Sequence, residues 1–105
     1  FASDESSFGS TFPEAYDLHQ NYPNPFNPST HITFELRESG TVKLQIFNIA
    51  GQLIQTLVQN EMPAGRHSLI WNGRDQWGAI VASGIYFYQV LADNLRMMRR
   101  MVVVR

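Results

Sequence analysis

The chain has 105 residues, a net charge of −1 and no cysteine. This length fits one domain with a tail, large enough for a single core without disulfides or metal staples. The near-neutral charge argues against nucleic acid binding, which usually needs a broad basic field. Absence of cysteine excludes disulfides, zinc–thiolate centres and cysteine nucleophiles. No apolar run approaches the ~18 residues that would span a bilayer, so we expect no membrane insertion.

Residues 1–18 have the composition of a linker. They are rich in Ser, Asp, Glu and Gly, with scattered aromatic residues and no sustained period. We predict a flexible linker here and a folded domain in residues 19–105, with ordering beginning near Tyr16 to His19. The alternative is that Phe8, Phe12 and Tyr16 pack on the domain. Because the sequence opens without an initiator Met or a signal peptide, we expect it to be a piece of a longer precursor.

The segment NYPNPFNPSTHITFEL, residues 21–36, predicts the entry into the domain. Its prolines Pro23, Pro25 and Pro28 each fix φ, remove an amide donor and push the preceding residue into extended geometry, which excludes a helix. A half-buried strand follows, because apolar residues then alternate with polar ones. The apolar residues of this strand are Ile32, Phe34 and Leu36.

Alternation with a period of two continues along most of the remaining chain. A strand through Val42, Leu44 and Ile46 enters the turn NIAGQ, which predicts a hairpin with a type I turn and a bulge at Gly51 in the left-handed region. Further strands are predicted at residues 53–58, 67–71, 85–91 and 95–104. The segment 85–91 is apolar on both faces, as a central strand is. Six or seven short strands between glycine turns predict an antiparallel immunoglobulin-like β-sandwich, all-β in class.

Trp71 is the predicted centre of the core. The segment NGRDQWG after it is a turn cluster, in which Asn72 and Asp75 accept backbone amides. We expect Trp71, Ile46, Phe34 and Tyr86 to share one core. The residues expected to shape the turns and the core are Gly51, Gly65, Trp71, Gly73, Asp75, Gly78, Gly84 and Tyr86.

The sequence contains no evident catalytic constellation. The three histidines lie in different elements without the spacing of metal ligands, and no role is assigned to them: His19, His31 and His67. Ser83-Gly84 lacks the flanking glycines of a nucleophile elbow, and Glu35 with Glu38 has no recognisable cleft. We therefore expect no enzyme activity, no metal and no cofactor.

Two features of residues 72–77 have competing interpretations. Asn72 and Asp75, together with Asp93, could suggest calcium, but the alternating ligands of a calcium loop are missing. Turn capping is the better interpretation, and a weak cation site stays open. Trp77 could stack on a sugar ring at the rim of the sandwich. We favour the interpretation that Trp77 folds over its own loop or a neighbouring strand.

The opening segment NYPNPFNPST resembles the start of the type A C-terminal sorting domain of type IX secretion cargo. Five further motifs follow in the order of that family: NIAGQ at 48–52, MPAGRH at 62–67, WNGRDQWG at 71–78, SGIYFY at 83–88 and MRRMVVVR at 98–105. The resemblance covers roughly residues 19–105. The Trp-x-Gly-x-Asp motif at residues 71–75 and the Gly-x-Tyr motif at residues 84–86 also resemble the immunoglobulin-like domain of the flagellar hook-cap protein, which indicates fold more than function.

This resemblance implies a non-catalytic sorting domain, fused behind a cargo domain in the same precursor. Its partners would be the type IX translocon and associated outer-membrane proteins, and its cargo would be secreted or held at the cell surface of a Gram-negative bacterium. The family carries a Lys-rich step before a hydrophobic end, where this chain has Arg99 and Arg100, which keep the charge but change the hydrogen-bonding geometry. The residues expected to be recognised are Pro23, Asn24, Pro25, Asn27, Arg99, Arg100, Met101, Val102, Val103 and Val104.

Other interpretations of the same features remain open. The basic residues near the end of the chain also fit a final strand whose charged edge prevents aggregation. The domain as a whole also fits a structural or adhesive immunoglobulin-like module of a surface protein. A third alternative is a carbohydrate-binding accessory module.

Overall fold

Seven strands form in the part of the chain that the computed structural model describes, residues 15–105. They are β1 (Asp17–Leu18), β2 (Thr30–Leu36), β3 (Gly40–Asn48), β4 (Leu53–Met62), β5 (Gly65–Trp71), β6 (Gly84–Ala92) and β7 (Leu95–Val103). These residues contain no helix, and hence none that could cross a membrane. The predicted all-β, antiparallel, immunoglobulin-like sandwich is confirmed.

The strands make two antiparallel sheets. The smaller sheet has the order β1-β2-β5 and the larger sheet the order β4-β3-β6-β7. The antiparallel registers place residues 21–29, the hairpin turn 48–52, the loop 72–83 and the end of β7 at the same end of the sandwich, which we call the loop end. The short turns 37–39, 63–64 and 93–94 lie at the opposite end.

Alternating apolar side chains of β2, β3 and β6 fill the space between the sheets, as their period of two predicts. Trp71 is 1% exposed, and the rings of Phe26 and Tyr86 pack edge-on against it at 5.6 and 5.8 Å. Its indole N–H donates to the Arg74 carbonyl at 2.9 Å. Trp71, Phe34, Ile46 and Tyr86 share one core, as predicted. Because Trp71 ends β5, the aromatic cluster lies toward the loop end.

The hairpin between β3 and β4 has the predicted turn. Gly51 has a φ of 82°, its N–H donates to the Asn48 carbonyl at 2.9 Å, and the Asn48 N–H donates to the Gln52 carbonyl at 3.0 Å. The Asn48 side chain also accepts the backbone N–H of Gln52 at 2.9 Å. Strand β4 continues to Met62, beyond the predicted residue 58, and its pairing with β3 contains two register shifts. The shifts lie within residues 53–58, whereas residues 59–61 are polar and exposed, so no apolar alternation marks the second half of this edge strand.

The folded domain begins earlier than the predicted boundary at residue 19. Asp17 and Leu18 form β1, opposite Glu35 and Phe34 of β2. Leu18 is buried, at 3% exposure. A strand of two residues has no period to detect, although the expected ordering from Tyr16 to His19 agrees with its position. Residues 1–14, with Phe8 and Phe12, lie outside the described residues.

Candidate recognition surface

The proline loop, residues 21–29, is anchored by two buried polar side chains. Asn21 is 2% exposed and Thr30 is fully buried. The Asn21 side-chain amide donates to the Pro23 carbonyl at 3.1 Å and to the Thr30 hydroxyl oxygen at 3.0 Å. The Thr30 hydroxyl donates to the same Pro23 carbonyl at 2.8 Å. Because buried polar groups without partners are costly, these bonds fix the path of the loop. Sequence reasoning missed both residues.

Tyr88 of β6 forms hydrogen bonds with the backbone at the start of this loop. Its hydroxyl donates to the His19 carbonyl at 2.6 Å and accepts the backbone N–H of Asn21 at 2.8 Å. Burial raises the pKa of Tyr88 to about 12, against the opposing effects of the Asn21 N–H and the Arg99 charge. The hydroxyl therefore remains protonated, and able to donate, well above neutral pH.

The proline loop covers the last part of the free edge of β7. The Phe26 N–H donates to the Val102 carbonyl, and the Val104 N–H donates to the Phe26 carbonyl, both at 3.1 Å. The Asn24 side-chain oxygen accepts the Val102 N–H at 2.9 Å. The Phe26 side chain is 2% exposed and packs on Trp71. We call this contact between the proline loop and residues 102–104 the terminal seam, because it joins the two segments that the family resemblance singled out.

The two arginines of the predicted basic step have different environments. Arg99 Nε donates to the Leu18 carbonyl at 2.5 Å, which ties β7 to β1 across the edge of the sandwich. Arg100 pairs with Phe87 of β6. Because its neighbour Met101 points into the core, Arg100 projects from the outer face of the larger sheet. The Arg99 side chain thus makes a structural contact that the sequence did not reveal. The Arg100 side chain faces solvent.

An open depression of about 300 Å³ lies beside Arg99, in the gap between β1 and β7. Its lining residues are Asp17, Leu18, Met97, Met98 and Arg99. Its lining carries one carboxylate, that of Asp17, and one guanidinium, that of Arg99.

Arg105 holds the end of the chain to the loop 72–83. Its Nε donates to the Val81 carbonyl at 3.0 Å and its Nη2 to the Gly73 carbonyl at 2.8 Å. Its backbone N–H donates to the Ser83 hydroxyl oxygen at 2.8 Å. Gly73 has a φ of 73°, and a Cβ there would lie 2.8 Å from Arg105 Nη2 and 3.2 Å from the Pro28 carbonyl oxygen. Only glycine fits at position 73, where the loop 72–83, Arg105 and the proline loop meet.

The structure divides the residues predicted to be recognised into exposed and buried ones. Met101 and Val103 are 0% and 2% exposed, so their side chains are not accessible in the folded domain, and their part in recognition stays a prediction. They are the inward-facing residues of β7, and the apolar run at the end of the chain is partly core. Val102 is half-buried. The exposed members are Pro23, Asn24, Pro25, Asn27, Arg99, Arg100 and Val104.

The loop 72–83 is organised by Asp75, as the capping interpretation predicts. The Asp75 carboxylate accepts the backbone N–H groups of Trp77 and Ala79, both at 2.9 Å. Asp93 lies in the turn at the opposite end, so the calcium group considered from the sequence does not assemble. Gly65, Gly78 and Gly84 also have positive φ, at 131°, 89° and 154°.

Trp77 is 81% exposed, so the interpretation that it folds over its own loop or a neighbouring strand is wrong. The loop is tied down through its backbone instead. The Gln76 N–H donates to the Ile54 carbonyl at 2.8 Å, and the Gln55 side chain donates to the Asp75 carbonyl at 3.0 Å. These bonds hold the loop beside β4 and leave the indole in solvent.

One group of metal-ligand side chains comes together in the described residues, at β1. The His19 imidazole donates to Glu35 Oε2 at 2.5 Å and lies 3.8 Å from Asp17 Oδ2, while an Arg66 guanidinium lies 3.9 Å from Glu35. The direct contact between His19 and Glu35 is a hydrogen bond that ties the residue after β1 to β2. Sequence spacing missed it, because strand pairing creates it.

Comparison with known proteins identifies relatives of this sandwich. Residues 21–95 match the family described as the FlgD Ig-like domain. Dimeric latent PorU from Porphyromonas gingivalis has a similar fold, with a TM-score of 0.67 over 86% of the chain at 19% identity. PorZ, described as an essential bacterial surface component of the type-IX secretion system of the same organism, gives 0.58 over 84% at 22% identity. FlgD from Xanthomonas campestris, described with hook capping in flagellar assembly, gives 0.57 over 87% at 21% identity.

The matched region is a small part of the larger relatives. The chain spans 9% of PorU, 11% of PorZ and 63% of that FlgD. No protein of the curated set matches the chain in sequence. At these identities the likeness to the solved structures establishes the fold alone.

Proposed function

The chain belongs to the FlgD Ig-like domain family, and from this premise we propose that it is a non-catalytic C-terminal sorting domain. It directs an attached cargo protein across the outer membrane through the type IX secretion system. The likeness to a domain of PorZ, a surface component of that system, supports this assignment. The likeness to FlgD concerns a fold that serves a different assembly.

The terminal seam is the observation that carries the proposal. The opening motif and the end of the chain are far apart in sequence, yet Phe26 bonds to the backbone of both Val102 and Val104. A signal that is recognised as a surface needs its parts side by side, and the seam supplies this arrangement. The exposed Pro25 and Asn27 of the loop and Arg100 of β7 then belong to one accessible region.

The translocon is the partner in this proposal, and its recognition step depends on Arg100. Arg100 is exposed, and its side chain makes no hydrogen bond among the described residues. Arginine is enriched among residues that dominate interface energies. Arg96, four residues earlier in β7, is also exposed and faces the same side, opposite Leu91. It offers a matched control with the same charge on the same strand.

Export of a fused reporter tests the proposal. Residues 15–105, which include the buried Leu18, are placed behind a periplasmic reporter in a host with type IX machinery. The fusion should appear outside the cell. Arg100→Glu should lower export by on the order of tenfold, as expected for a central interface arginine, while Arg96→Glu should leave it near the wild-type level. Circular dichroism checks that both variants fold.

Different failures have different meanings. Retention of the unaltered fusion in the periplasm contradicts the sorting function itself. Equal export of the wild type and both variants removes the basic step from the signal, and substitution of Pro25 and Asn27 then tests the loop side of the seam.

Carbohydrate binding is the second candidate function, because an indole as exposed as that of Trp77 can stack on a sugar ring. Trp71, the other tryptophan, is 1% exposed, so a fluorescence change on adding a soluble polysaccharide would report Trp77. A change that disappears in Trp77→Phe favours an accessory module. No change with the polysaccharides of the host envelope argues against it.

A further inference from the structure

Exposed apolar side chains are concentrated at the loop end. Among the described residues, the large apolar side chains that are exposed lie at or beside this end, except Leu95 and Met98. Ile49, at 74% exposure, stands on the hairpin turn 48–52, and Trp77 at 81% and Ile80 at 58% stand on the loop 72–83. Single exposed apolar residues are ordinary, but a group of them at one end of a small domain marks a site of interaction.

Carboxylates in the described residues are distributed unevenly between the two ends, although basic residues also lie in both halves. The carboxylates at β1 and in the half of the sandwich away from the loop end are Asp17, Glu35, Glu38, Glu61 and Asp93. At the loop end the carboxylate is Asp75, which is occupied by two backbone N–H groups of its own turn. Arg74 and Arg105 lie at the same end, and Arg100 lies close to it. The loop end therefore carries exposed apolar side chains together with positively charged arginines.

We propose that the loop end docks on an anionic bilayer surface. Trp77, Ile49 and Ile80 enter the interfacial layer, and Arg74 and Arg100 face the lipid phosphates. This inference goes beyond the proposed function, which concerns a protein translocon, and does not depend on it. It describes peripheral contact by loop side chains, so it needs no membrane-spanning segment.

A bilayer fits this surface better than a rigid protein partner does. The exposed apolar residues protrude from two different connections, the turn 48–52 and the loop 72–83, whereas the cores of protein interfaces are continuous, closely packed patches. A soft interface can accept separate protruding side chains, and tryptophan favours the boundary between headgroups and acyl chains. Arginines around apolar residues add attraction to anionic lipids, as they do for amphipathic helices that bind membranes.

The two tryptophans provide a direct assay. Because Trp71 is 1% exposed and Trp77 is 81% exposed, a shift of emission to shorter wavelength on adding vesicles reports Trp77. Vesicles of phosphatidylcholine with phosphatidylglycerol should produce this shift and saturate. Vesicles of phosphatidylcholine alone should bind more weakly, by roughly fivefold for each arginine that faces the lipid. Brominated lipids should quench the shifted emission.

Matched variants locate the contact. Ile49→Ser should weaken binding to the anionic vesicles by roughly tenfold, the effect of withdrawing most of one isoleucine side chain from an apolar phase. Leu95→Ser removes a 40% exposed leucine at the opposite end and should leave binding unchanged. Arg74→Gln should reduce the preference for phosphatidylglycerol by roughly fivefold. Thermal unfolding of each variant confirms that its fold is intact.

Several results would overturn the proposal. Trp77 emission that stays unshifted at saturating lipid excludes insertion of the indole. Equal loss of binding in Ile49→Ser and Leu95→Ser excludes docking through the loop end. Binding that is insensitive to phosphatidylglycerol and to salt excludes the role of the arginines. A shift seen with purified translocon protein but not with vesicles assigns the surface to a protein partner instead.

Discussion

Phe26→Ala tests whether the terminal seam stabilises the domain. The Phe26 side chain is 2% exposed and its ring packs edge-on against Trp71 at 5.6 Å. Truncation of a buried phenylalanine costs roughly 3–5 kcal/mol, because apolar burial is lost and a cavity remains. A domain of this size has a total stability of about 5–15 kcal/mol. The variant should therefore fold at low temperature with Tm lowered by about 12–40 °C.

Urea unfolding followed by far-ultraviolet circular dichroism measures this cost. The midpoint should fall while the m-value stays near that of the wild type, since the surface exposed on unfolding changes little. Tyr22→Ala is the matched control, because Tyr22 is an aromatic residue of the same loop at 78% exposure. Its stability should stay within about 0.5 kcal/mol of the wild type. A Phe26→Ala loss below about 1 kcal/mol, or a Tyr22→Ala loss of equal size, would refute the buried position of Phe26.

Three further predictions concern residues around the seam. The pKa of Tyr88 is raised to about 12 from an ordinary value near 10, so its contribution to stability is complete below pH ~10 and is lost as the pH rises toward 12; Tyr88→Phe should reduce this alkaline decline in urea midpoints. Gly73→Ala should lower the free energy of unfolding by at least about 1 kcal/mol more than Gly78→Ala does, and its Tm should be the lower of the two. Both glycines have positive φ, but only Gly73 adjoins a guanidinium and a carbonyl. Arg99→Glu should cost about 1.5–3 kcal/mol in urea unfolding through loss of its bond to β1, whereas Arg100→Glu should cost less than about 0.5 kcal/mol.

The parts of the fold that the sequence predicts well are those in which each residue reports its own environment. In β2, β3 and β6 the apolar side chains alternate, and alternation follows directly from the two faces of a strand. Gly51 reports a local requirement of the same kind, since its turn needs a positive φ. The burial of Trp71 follows from its size and its place in an alternating segment.

The parts that the sequence does not predict are contacts between distant segments. No sequence pattern near Asn21 or Thr30 indicates that their buried side chains hydrogen-bond to each other and to the proline loop. Arg99 and Arg100 look equivalent in sequence, but adjacent residues of a strand face opposite sides, so one bonds to β1 and the other faces outward. Exposure of Trp77 depends on how the loop 72–83 is bonded to β4, which no local pattern encodes.

The terminal seam makes recognition of the proposed signal dependent on folding. The exposed residues of the loop and of β7 keep their relative positions because Phe26 is buried beneath them and its backbone bonds to both Val102 and Val104. Phe26→Ala changes no exposed side chain. Arg100→Glu changes an exposed side chain that makes no hydrogen bond within the described residues. Export of a Phe26→Ala fusion should therefore match the wild type well below the Tm of the variant and fail above it, while Arg100→Glu should be defective at both temperatures. Export of Phe26→Ala above its Tm would mean that the machinery reads the unfolded segment, and that the seam has no part in recognition.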